Sequence, residues 1–260
     1  MIDTHCHLDA ERFEADRNEV LERAWGAGLE GLLIPAVGPE RWDALLEWPG
    51  RDVRVQVALG IHPQLLPEID ASEDERHLAR LDRILGDGGA IAVGECGLDG
   101  PSEPGASMER QIRVFEAHLE LARRHHLPVL VHCFKAHPHL TRLLKAVAPL
   151  PDGLVLHSYS GSKELVRDYA RHGCRFSFAG PITFAEARRP LDAVRAVPPE
   201  LLLVETDAPD QAPAPHRGQR SEPAYLPLIV DAMARARGGS AEELREVLRR
   251  FDTGGGGSPA

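Results

Sequence analysis

Hydrophobic and polar positions along this chain follow two alternating rhythms. Eight short runs rich in Val, Ile and Leu recur: MIDTHC (1–6), GLLIPAV (31–37), VRVQVALGI (53–61), AIAVGE (90–95), PVLVHC (128–133), GLVLHS (153–158), CRFSFAG (174–180) and LLLVETD (201–207). Runs of this length and composition read as strands buried on both faces. The segments between them have helical length and helical spacing. Ile112, Phe115, Leu119 and Ala122 make one apolar stripe, and Leu226, Ile229, Val230, Met233 and Ala234 make another. Glycine-bearing ends such as AGLEG and RHGC, and Pro128 ahead of a strand, mark where helices stop.

Eight strand–helix units with no second compositional regime predict an α/β fold, a single-domain (β/α)8 TIM-like barrel over residues 1–251. An open doubly wound sheet is the alternative, but the glycine fingerprint GxGxxG does not follow the first strand. The tail DTGGGGSPA (252–260) cannot pack a core and is expected to be flexible.

Composition narrows the class. A hydrophobic fraction of 43% with 27% charged residues is that of an ordinary globular protein. No apolar run reaches the 18 or so residues of a membrane span, and no signal peptide is evident. Cys6, Cys96, Cys133 and Cys174 are scattered without a CxxC pair, so reduced thiols in the cytoplasm are expected. A net charge of −10 argues against a broad nucleic-acid-binding face. It leaves room for a nuclease, because carboxylates gathered around cations account for part of that charge.

In a barrel, chemistry gathers at the C-terminal ends of strands, and the potential metal ligands fall there. His5 and His7 end the first run, His62 follows the third and Glu95 ends the fourth. His132 ends the fifth, His157 the sixth, and Glu205 and Asp207 the eighth. Side chains two apart share a face of a strand, so His5 pairs with His7, Glu205 with Asp207, and Glu95 with Ile91 and Val93. Cys6, Cys96 and Cys133 then face the other way, which disfavours a thiolate site. Four histidines, one glutamate and one aspartate exceed a single tetrahedral site and suit two divalent ions. His5, His7 and Asp207 would hold one, His132 and His157 the other, with Glu95 between them and Asp207 accepting a proton from water. Imidazoles favour Zn2+ or Mn2+, carboxylates and a phosphate substrate Mg2+.

These residues sit in motifs that resemble the TatD-type metal-dependent deoxyribonucleases of the amidohydrolase superfamily. IDTHCHLD, LGIHP, AVGECGLD, PVLVHC, VLHSYSG, LLVETDAP and HRGQRSEP run in the family's order through residue 230 or so. The resemblance implies a TIM-like barrel and a divalent-metal hydrolase acting on DNA, as a 3′–5′ exonuclease on single-stranded or frayed ends. It implies the metal ligands His5, His7, Glu95, His132, His157 and Asp207, with Glu95 where other superfamily members place a carboxylated lysine. It gives His62 a part in orienting the scissile phosphate and Glu205 a supporting hydrogen bond or a part in water handling. The loop with His216 offers Arg217 and Arg220 as a phosphate grip. The chain departs from the family at Ser221, where Asn is usual and where serine is expected to cap the following helix. It departs again in the loop GPSEPGAS (100–107), which lacks the usual aromatic pair, and in the early end of the last helix at RRFD.

DNA is thus the expected substrate, with no membrane contact, no obligate protein partner and a monomeric state. Two other readings keep the ligands: an amide, ester or aminoacyl-ester hydrolase, which would not need Arg217 and Arg220, and a non-catalytic metal-binding protein.

Overall fold

The computed structural model describes residues 1–100, 106–147, 150 and 152–252. Residues 101–105 of the GPSEPGAS loop and 253–260 of the expected tail lie outside them. Strands and helices alternate as the sequence predicts. The strands are β1 (Ile2–Asp3), β2 (Gly31–Pro35), β3 (Val55–Leu59), β4 (Ala92–Asp99), β5 (Val129–Phe134), β6 (Leu154–Leu156) and β7 (Cys174–Phe176). The helices are α1 (Arg17–Gly26), α2 (Trp42–Leu45), α3 (Trp48–Arg51), α4 (Asp74–Gly86), α5 (Met108–His125), α6 (His137–Ala146), α7 (Lys163–Ala170), α8 (Arg188–Ala196), α9 (Leu226–Arg237) and α10 (Ala241–Asp252).

The chain divides into two compact units: residues 1–33, 161–167 and 176–260 form the first, and 34–160 with 168–175 the second. In the second unit β3, β4, β5 and β6 are neighbours in one parallel sheet. Val57, Leu59, Val93, Val129, Val131 and Leu156 fill it, and α5 covers it with Val114, Phe115, Leu119 and Ala122. Each fully buried Val, Leu or Phe side chain contributes about 1.5–3 kcal/mol of hydrophobic stabilisation.

Glu95 lies inside β4, not at its end as expected. The register with β5 shifts between Val93 and Cys96, a bulge that re-aims side chains. Ile91, which precedes β4, is 47% exposed while Val93 is buried, so Ile91 does not join the predicted column with Val93 and Glu95. Gly97 (φ 141°) meets the same strand so closely that a Cβ there would lie 2.1 Å from the His132 carbonyl oxygen. Only glycine fits.

In the first unit β1 pairs with β2 in parallel, Ile2 opposite Gly31. β1 is only two residues long because the His5 amide donates to the Asp3 carboxylate (3.3 Å). The predicted eighth strand is an extended segment with a single bridge, Leu202 to Phe176. Its backbone still bonds on both sides: Leu203 N–H to the Phe176 carbonyl, and Thr4 N–H to that of Val204. The ladder is interrupted where Asp3 accepts from the Thr206 amide (3.0 Å) and hydroxyl (2.5 Å). Burial raises the Asp3 carboxyl to about 7 against these bonds. Leu226, Ile229, Val230, Met233 and Ala234 are all buried along α9, as the stripe predicts.

One buried histidine is structural. His118 on α5 accepts the Ile61 amide at Nε2 (3.1 Å), and its Nδ1–H donates to the Val114 carbonyl (2.7 Å). Burial pushes this imidazole from 6.5 down to about 4, against that carbonyl. Between those values the unfolded chain binds a proton that the folded chain refuses. Stability is therefore complete above about pH 6.5 and falls as pH drops towards about 4, by on the order of 3 kcal/mol. Denaturant titrations across this range should show that loss, and His118→Gln should remove its share of the slope.

Candidate metal centres

The first unit brings His5, His7 and Asp207 together through the backbone. The Asp207 amide donates to the His5 carbonyl (2.9 Å), and the His7 amide to that of Ala208 (2.7 Å). Two-residue spacing puts the imidazoles on one side, with Nε2 atoms 3.3 Å apart, and sends Cys6 the other way, its amide bonding Leu33. Asp207 adopts φ 53°, a left-handed conformation that Asp tolerates better than most residues. Its Oδ1 lies 3.8 Å from His5 Nε2 and 3.7 Å from His7 Nε2, while Gln211 Nε2 holds Oδ2. The three donor atoms thus lie 3.3–3.8 Å from one another, a spacing that one ion with bonds of about 2.0–2.2 Å can span.

Glu205, fully buried in the same unit, accepts from the Ser177 hydroxyl at 2.5 Å.

The second unit gathers its donors around one oxygen. Glu95 Oε1 lies 2.8 Å from His157 Nε2, 3.1 Å from His132 Nδ1 and 3.1 Å from His62 Nε2. The ligating atoms of His62, Glu95 and His132 all fall within 4.8 Å of one another, yet hydrogen bonds separate their roles. His62 Nδ1 accepts the Gln64 amide (3.1 Å), so its proton sits on Nε2 and points at Glu95. Both ring nitrogens are thus engaged within the protein. His132 is turned the other way: its Nε2–H donates to Asp99 Oδ2 (2.8 Å), leaving the Nδ1 lone pair to face Glu95 and His157. A carboxylate behind a histidine that faces a metal fixes the tautomer and strengthens the ligand.

The electrostatics follow these contacts. Burial lowers the His62 imidazole and outweighs the pull of Glu95. Burial acts on His132 in the same sense, but its bonds to Asp99 and Glu95 win and raise it. Burial opposes ionisation of Asp99, and the His132 and Gln64 hydrogen bonds overcome it, so this carboxyl stays below its ordinary value. Two imidazole nitrogens and a carboxylate oxygen in each unit form a donor set that fits a divalent ion such as Zn2+ or Mn2+.

Asp99 was not among the sequence candidates. Its supporting bond predicts that Asp99→Asn weakens metal binding at the His132–His157–Glu95 cluster by roughly 10- to 100-fold. Competition with a chromogenic chelator would measure it.

The expected arginine pair separates. Arg220 is bound to both Asp16 oxygens (2.7 Å), to Glu222 (2.7 Å) and to the Arg12 carbonyl (2.8 Å), and lies over the Phe13 ring. These bonds occupy both terminal nitrogens of its guanidinium and tie the loop to Asp16 and Arg12. Arg217 pairs with Glu186 (2.6 Å) over the Phe184 ring and is 59% exposed. His216 stacks on Tyr225. Ser221 caps no helix: Glu222 precedes a short 3-10 turn over Pro223–Tyr225, Tyr225 precedes α9, and the buried Ser221 hydroxyl has no hydrogen-bond partner. His137 opens α6 and contacts Cys133 Sγ (3.5 Å) and Tyr169 Oη (3.2 Å).

Similarity to known proteins covers both units. The TatD related DNase family matches residues 2–250. YabD of Bacillus subtilis (strain 168), named a metal-dependent hydrolase, is 30% identical over 95% of each chain. A protein of Enterobacter lignolyticus (strain SCF1) named 3′-5′ ssDNA/RNA exonuclease TatD is 32% identical over 94% of each. The crystal structure of YjjV, a TatD homologue from Escherichia coli K12, superposes with a TM-score of 0.90 at 31% identity, covering 96% of this chain and 95% of that one. The fold is accordingly of the α/β, TIM-like barrel class.

Proposed function

We propose that this chain, which belongs to the TatD related DNase family and is a metal-dependent hydrolase, uses two divalent ions to cut DNA phosphodiester bonds from the 3′ end of a single or frayed strand. The observation that carries the reading is the pair of donor sets. His5, His7 and Asp207 would hold one ion, and Glu95, His132 and His157 the other. A relative named as a 3′-5′ ssDNA/RNA exonuclease supports the choice of substrate.

Bound ions would polarise a phosphoryl oxygen and make water a nucleophile near neutral pH. The chain's own residues supply the rest. Asp207, with Oδ2 held by Gln211, accepts the proton of the attacking water. His62 and Asp99 keep Glu95 and His132 turned towards each other. Glu205 and Ser177 form a buried support beside the Asp207 segment. Arg217 is the arginine left exposed enough to meet a phosphate. The reaction belongs to the cytoplasm in this reading, with the chain acting as a monomer.

The test is direct. Purified protein with Mn2+ or Mg2+ should shorten a 5′-labelled single-stranded oligonucleotide stepwise from its 3′ end, and EDTA should stop it. Cleavage of amides or esters with every nucleic acid left intact would overturn the proposal.

A further inference from the structure

Phe134 stands out at the end of β5. Among the described residues only three large hydrophobic side chains are exposed, Val53, Ile91 and Phe134, and Phe134 is the one aromatic. Isolated surface aliphatics are ordinary. An aromatic ring 45% exposed two residues beyond His132 on the same strand is placed differently. Alternation puts the two side chains on one face, with their backbones about 7 Å apart. That is close to the step between successive phosphates of an extended strand.

The backbone that carries the ring is also held in place. Asp99 pairs with Phe134 across β4 and β5, and the Gly100 amide donates to the Phe134 carbonyl at 2.6 Å. Gly100 packs so tightly that a Cβ there would lie 2.7 Å from Lys135 Cβ. Lys135 takes φ 50°, a left-handed conformation uncommon for lysine. Its ammonium sits 4.9 Å from the Phe134 ring centroid. In a chain of net charge −10, whose arginines repeatedly pair with carboxylates, Lys135 makes no salt bridge among the described residues. The aromatic face and the cation are thus presented together, beside a metal-ligand candidate, on rigid backbone.

From this juxtaposition we infer that Phe134 and Lys135 form a nucleotide subsite: Phe134 stacks the base next to the cleaved phosphodiester, and Lys135 takes the phosphate beside it. Stacking on an aromatic ring accepts any base, while a lysine reads only charge. The subsite therefore favours a single strand, whose bases are free to leave their neighbours, without selecting sequence. The inference rests on the nucleic-acid reading above and adds residues outside the metal ligands.

The experiment measures binding in EDTA, where no turnover occurs. A short single-stranded oligonucleotide carries the fluorescent base 2-aminopurine at its 3′ end. Wild-type protein should quench it as the base stacks. Phe134→Ala should abolish the quench and raise Kd by roughly five- to hundred-fold, the range spanned by one stacked base, and Phe134→Tyr should restore both. Lys135→Gln should weaken binding and reduce the slope of log Kd against log salt by about 0.7, one phosphate contact on a single strand. Because Phe134 is exposed, the variants' melting temperatures should match wild type and exclude a folding defect. If wild type cleaves DNA while Phe134→Ala binds and quenches as wild type does, the subsite is wrong and the nuclease reading stands. If wild type neither binds nor cleaves nucleic acid, both fall.

Discussion

Replacing Asp207 with Asn lowers kcat/KM on a single-stranded oligonucleotide by on the order of 10³-fold at saturating Mn2+. Asparagine keeps an oxygen at the position of Oδ1, between His5 and His7 at 3.8 and 3.7 Å. It loses the negative charge and the capacity to take a proton. Under the proposed roles, metal binding at this cluster should be weakened but measurable, whereas proton acceptance should be removed outright. Excess metal separates the two effects. If saturating Mn2+ restores wild-type turnover to Asp207→Asn, the residue is only a ligand and another group takes the proton. Steady-state kinetics across a metal titration decide between them.

Glu95→Gln is expected to act on the other cluster and to cost more in metal affinity than in protein stability. Glu95 is 1% exposed, and one of its oxygens faces His62, His132 and His157. The glutamine amide retains the shape but presents no charge to the three imidazoles. Metal affinity at this cluster should fall by more than the roughly 100-fold that follows loss of an outer hydrogen-bond partner. Activity should fall with it. Calorimetric metal titration of Glu95→Gln against wild type measures the first effect, and oligonucleotide hydrolysis the second. An unchanged titration would remove Glu95 from the donor set.

The donor residues were legible where a local rule governs them. His5 and His7 share a side because they are two apart, and this held although β1 stops at Asp3. Asp207 came with its motif. Asp99 escapes the sequence reading because the fourth apolar run, AIAVGE, ends at Glu95. Gly97 instead lets β4 run on against the His132 backbone, and the even spacing from Glu95 to Asp99 carries the same face forward. His118 could not be read from its helix, since its partner is an amide 57 positions away. Arg220 is a similar case: Asp16, which claims its guanidinium, is 204 positions distant. Pairings over such separations depend on how the chain folds back, which local periodicity does not record. The eighth run predicted a regular strand from its Leu and Val. The buried Asp3 carboxylate, two residues from His5, interrupts its ladder instead.

Metal stoichiometry tests the central claim most directly. Chain stripped with chelator, titrated with Mn2+ or Zn2+, dialysed and analysed for bound metal should carry two ions. Asp207→Ala and Glu95→Ala should each carry one, and the chelated protein should be inactive on DNA. A wild-type chain that binds a single ion, or that keeps full activity on DNA after complete chelation, would contradict the account.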